Sequence, residues 1–133
     1  MSNAKKRVAI GIGCRKECYV SEIIELIHLA LEKSDVTISE VAVLATIWAK
    51  EGADSIVNAA DALDVPLVVI SKTKCEEVAG LVETVSKKVV ELFAVPSVAE
   101  IAALAAAGKN PQLICSRIIS PSASCAIAVG DEA

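Results

Sequence analysis

With 133 residues and a formal net charge of −4, the chain fits one domain with a real core and has no global basic field to draw nucleic acid or an anionic membrane. Hydrophobic residues make up 54% but aromatics only 2%. Ala, Val, Ile and Leu must therefore build the interior, and the shortage of stacking platforms counts against a reader of single-stranded nucleic acid.

Lys6 to Ile12 is a short, β-branched apolar run, the pattern of a buried central strand. Ser21 is placed as the N-cap of a helix over Glu22 to Lys33, with Ile23, Ile24, Ile27 and Leu31 on one side and Glu25, His28 and Glu32 on the other. The stretch "SDVT" breaks that helix, and Glu40 to Thr46 gives a second strand. After the loop "KEGAD", Asp54 to Leu63 reads as an Ala-rich helix, and "DVPLVVIS" turns into a third buried strand. This β-α-β-α-β order predicts parallel strands joined by right-handed crossovers.

Cys75 to Leu92 is helical in period, with Gly80 dividing it. "VPSVAEIAALAAAG" marks a helix at both ends: Ser97 and Glu100 have the spacing of a capping box, and Gly108 follows the last turn. Two more strands, Gln112 to Arg117 and Ser124 to Val129, flank "ISPSAS" and predict an antiparallel hairpin at one edge of the sheet. The expected fold is a three-layer α/β/α domain over residues 1–133. Its sheet is mixed and mostly parallel, of about five strands, with the antiparallel hairpin at the C-terminus.

No run of about 20 apolar residues is present to span a bilayer. The apolar stretch after Lys5-Lys6-Arg7 is too short for a secretion signal, so a cytoplasmic protein is expected. The cysteines Cys14, Cys18, Cys75, Cys115 and Cys125 match no zinc spacing, and His28 cannot complete a site. Neither a metal nor a cofactor is expected.

Ligands of open α/β sheets lie beyond the carboxyl ends of the strands. Gly11 and Gly13 fall there, followed by Cys14, Arg15 and Lys16. Two accounts fit these glycines. One is close packing and a sharp exit from the strand; the other is a bare backbone that admits a ligand beside two cations. Gly11-x-Gly13 is no dinucleotide fingerprint, since Lys16 holds the third glycine position. Thr46, Trp48 and Lys50 follow the second strand at the same edge, and Lys72 follows the third. Catalytic groups are sparse: Cys14 is a weak nucleophile candidate beside Arg15, and Glu100 is the best general-base candidate, although capping explains it completely.

"GIGCRK", "LATIWAKE", "VPSVAEIAALAAAG" and the terminal "CAIAV" occur in the order of the CobE/CbiG carboxy-terminal domain family, which the chain resembles over nearly its whole length. The resemblance implies a compact three-layer α/β domain acting in corrin-ring synthesis, most like the free-standing CobE type. For CbiG-type proteins it implies hydrolysis of a cobalt-precorrin-5A-type lactone with release of acetaldehyde. Mapped onto this sequence, the family's motifs fall on Gly11, Gly13, Cys14, Arg15 and Lys16, on Thr46 and Lys50, and on Ser97 and Glu100.

A corrin precursor is an apolar macrocycle ringed by carboxylates, which suits cations at the rim of an aliphatic floor. The expected ligand is therefore a precorrin or hydrogenobyrinic-type intermediate, with a corrin-pathway methyltransferase as a candidate protein partner. Lactone hydrolysis is one alternative; an anion- or nucleotide-binding module unrelated to tetrapyrroles is another.

Overall fold

The computed structural model describes residues 6–14, 18–47, 53–71, 73–75 and 98–131. In chain order these form β1 (Lys6–Cys14), α1 (Val20–Ser34), a 3-10 turn (Ile38–Glu40), β2 (Val41–Ile47), α2 (Ala53–Leu63), β3 (Leu67–Ile70), α3 (Val98–Ala106), β4 (Lys109–Ile119) and β5 (Ala123–Asp131). The strands make one mixed sheet in the order β3-β2-β1-β5-β4. β1, β2 and β3 are parallel, and β5 runs antiparallel to both β1 and β4. This is the expected α/β architecture with its C-terminal hairpin. β5 rather than β4 is inserted next to the central strand.

Two expectations need correction. β3 is an edge strand: only Ile70 of its residues is buried, and Val69 is 60% exposed. A short apolar run looks the same at the rim as at the centre, because its neighbours are set elsewhere in the chain. Ser21 is not the N-cap of α1. Tyr19 holds that place in extended backbone, and its carbonyl accepts from the Glu22 and Ile23 amides at 3.1 and 3.3 Å. Ser21 therefore lies inside the first turn. The far end behaves as "SDVT" suggested: Asp35 takes a left-handed conformation (φ 56°), and its N–H bonds the carbonyls of Leu31 and Glu32. The predicted helix over Cys75 to Leu92 lies, beyond Cys75, outside the described residues.

Pleating sends alternate residues of each strand to opposite faces, and the two faces carry separate cores. Under α1 and α2 lie Ile10, Ile12, Leu44 and Ile127, packed against Ile27 and Ile56. On the other face Ala9, Ala45, Ala126 and Ala128 meet α3, all nine of whose residues are buried. Gly11 faces α3 as well. A Cβ there would overlap the Ala99 carbonyl oxygen and lie 2.5 Å from the Ala103 nitrogen, so only glycine lets the helix backbone sit this close.

At the end of α3, Gly108 has φ +101°, and the Arg7 Nε donates to the Ala106 carbonyl at 2.8 Å. β4 is irregular, with register shifts against β5 between Lys109 and Gln112, between Leu113 and Cys115, and between Cys115 and Ile118.

Candidate functional site

The carboxyl end of β1 brings several parts of the chain to one edge. Gly13 pairs with Ser124 and Cys14 with Ala123, so the β4-β5 hairpin tip sits beside the exit from the central strand. α3 begins at the same edge: a Cβ on Gly13 would lie 3.1 Å from Val98 Cγ1 and 2.8 Å from Ser124 Oγ. Ser55, in the first turn of α2, donates its hydroxyl to the Cys18 carbonyl at 2.5 Å and so ties α2 to the start of α1.

Glu22 in the first turn of α1 holds the hairpin tip. One carboxylate oxygen accepts from the Ser120 hydroxyl, from the Ser122 amide at 2.8 Å and from the Ser122 hydroxyl at 2.7 Å. Bonds from the two hydroxyls and the amide hold its carboxyl below the usual range.

Thr46, near the end of β2, is 2% exposed, and its hydroxyl has no hydrogen-bond partner. Strand alternation puts it on the face shared by Leu44 and α2. Glu100 lies on the opposite face, fully buried in the first turn of α3, with Oε2 accepting the Arg117 backbone N–H at 3.0 Å. That amide belongs to the irregular stretch of β4 between Cys115 and Ile118. Glu100 therefore does more than serve its own helix: it pins a strand seventeen residues further along the chain. Ser97, expected to cap this helix, lies outside the described residues.

The sequence matches the family described as cobalamin synthesis G C-terminus over residues 8–128. The chain belongs to that family. Among relatives, it is similar to Protein CobE of Sinorhizobium sp, at 29% identity over 121 residues, covering 91% of this chain and 79% of the relative. Two solved structures extend the comparison. CobE, described as a protein from the cobalamin biosynthetic pathway, aligns over 100% of this chain and 98% of its own with a TM-score of 0.91; at 24% identity that likeness is one of fold. Cobalamin biosynthesis protein chiG from Agrobacterium tumefaciens is 31% identical with a TM-score of 0.72, covering 91% of this chain and 96% of its own.

Within this CbiG carboxy-terminal domain, Gly13 and Cys14 lie at the carboxyl end of β1 and Thr46 near that of β2. Gly11 sits beneath α3, so the packing account of that glycine is the one its geometry carries. Arg15, Lys16, Trp48, Lys50 and Lys72 lie outside the described residues. Cys14 and Cys18 are buried in the core under α1. Deeper still, burial and the neighbouring Cys115 push the Cys125 thiol strongly upward, away from thiolate chemistry.

Sequence reasoning missed the Glu22 clasp, whose only local signal is a pair of serines flanking Pro121. A depression of about 300 Å³ lined by Ala60, Asp61, Asp64, Val65 and Pro66 lies at the opposite edge of the sheet. Its two carboxylates make it a poor seat for a polyanion. Among the described residues no helix is long and apolar enough to cross a membrane.

Proposed function

We propose that this domain binds a carboxylate-fringed corrin-ring intermediate, of the precorrin or hydrogenobyrinic type, at the carboxyl edge of its sheet. The observation that carries this reading is the convergence at one edge of the β1 and β2 ends, the first turns of α1, α2 and α3, and the serine-bearing hairpin tip. Membership in a cobalamin-synthesis family supports a ligand from that pathway. Helix amino ends present unpaired N–H groups to anions, and Thr46 brings a buried hydroxyl that lacks a partner. By their place in the sequence Arg15 and Lys16 follow β1, and Lys50 follows β2; the proposal makes them the cations of the rim, with Trp48 against the apolar ring.

Binding is favoured over lactone opening. The thiols beside the edge are buried, and Glu100 is engaged with the Arg117 amide. The exposed His28 stands on the outer side of α1.

Titration with hydrogenobyrinic acid, followed in the visible spectrum, tests the reading. A saturable shift of the corrin bands is expected, and an unchanged spectrum at high micromolar ligand removes it. Acetaldehyde released from a lactone-bearing precorrin would replace binding with hydrolysis.

A further inference from the structure

Arg117 stands out among the described residues as a cation without an acceptor. It is half-buried in β4, its Nε has no contact with solvent and no hydrogen-bond partner, and its guanidinium makes no ion pair with a described residue. A buried N–H of a charged group left without an acceptor is costly, and native structures rarely tolerate it. Glu100 does not relieve it: its carboxylate accepts the Arg117 backbone amide, and no ion pair joins the two side chains.

Position gives this donor a meaning. The Arg117 backbone amide meets Glu100 in the first turn of α3, so the irregular part of β4 brings Arg117 beside that helix, on the α3 face of the sheet. On that face of β5 lie Ala126, an apolar floor, and Ser124, half-exposed opposite Gly13. We propose that Arg117 is an anchor for one carboxylate of the ring intermediate, entering between the hairpin and the first turn of α3. Glu100 is its positioning residue, fixing the irregular strand from which the guanidinium projects. Arginine suits the task, since its Nε and a terminal nitrogen together match the two oxygens of a carboxylate.

This assignment rests on the binding reading above, and the experiment separates the two. Hydrogenobyrinic acid is titrated into the native protein, Arg117→Ala and Arg117→Gln, with a melting curve for each. If the native protein gives no spectral change, the binding reading itself falls, and the anchor falls with it. If it binds, both variants are expected to lose affinity by about 10- to 100-fold, the loss typical of a charge-assisted contact, at unchanged melting temperature. Native-like affinity in either variant overturns the anchor. So does a loss that tracks a lowered melting temperature in both, which would assign Arg117 to packing. Glu100→Gln adds a readout that a packing role would not move: it is expected to weaken the native protein's binding but to have no further effect on Arg117→Ala.

Discussion

On one face of the sheet α3 rests on Ala9, Gly11, Ala45, Ala126 and Ala128, while on the other α1 and α2 pack over Ile10, Ile12, Leu44 and Ile127. The same strands supply both sets, one residue apart. The small face lets helix backbone lie against strand backbone, so its geometry is set by contact between main chains. The bulky face keeps its helices off the strands with branched side chains, which can shift rotamer or leave a void. Added atoms should therefore damage the first face, and removed atoms the second. The small face also carries the buried Glu100 and, beside it, Arg117, so that rigidity underlies the proposed anchor.

The largest effect is expected from Gly11→Ala, a change of one methyl group. Its Cβ meets the Ala99 carbonyl and the Ala103 nitrogen. Trimming a neighbouring side chain cannot relieve backbone atoms. A loss of about 4 kcal/mol in denaturant unfolding is expected, at the severe end for single substitutions. A variant as stable as the parent would show that α3 can slide, and the contrast between the faces would fail.

Ile127→Ala tests the opposite face. Ile127 is fully buried in the core beneath α1, and truncation should cost about 3 kcal/mol through lost burial and a residual cavity. Partial collapse around the void would lower that figure, and calorimetry alongside a cavity-seeking probe such as xenon would detect it.

The smallest effect concerns Glu22, which joins the helix of the bulky face to the hairpin. Its carboxyl is held low by the Ser120 and Ser122 bonds. The stability it contributes is therefore present at neutral pH and lost as pH falls through its depressed value. Glu22→Gln should lower the melting temperature modestly near neutrality, and the gap to the parent should close as the solution is acidified below 4.5, the group's ordinary value. A gap that is constant with pH would mean that the contact acts by shape alone. Asp131, bonded by Lys6 and Asn110, and Glu40, bonded by Thr37, are shifted the same way, so both chains should also show the common acid sensitivity.

Periodicity made the order of strands and helices legible, and the hairpin with it, because repeats of two and of 3.6 are properties of adjacent residues. What stayed hidden depends on partners far along the chain. The burial of β3 depends on which strands flank it, which the four residues "LVVI" do not encode. Glu100 fits a local capping spacing, yet it also reaches Arg117. Glu22 meets a serine a hundred positions away. Gly11 was legible as a special position, but whether it served a ligand or a helix could be decided only once α3 was seen lying on it. Of the candidate site, the strand ends that carry Gly13, Cys14 and Thr46 were legible. Arg117 was legible as a basic residue at the end of the predicted fourth strand; its buried, unpartnered Nε is what the structure adds.

The outer strands of the sheet have a bearing on how the protein behaves when crowded. An open β-sheet invites foreign chains to extend it. Here one rim, β3, offers only four residues. The other, β4, contains Pro111 and departs from regular register in three places. Along these two described rims, a neighbouring molecule attempting to add a strand would find no long, straight row of free donors and acceptors. Concentrated solutions should accordingly resist fibril growth while the fold is intact.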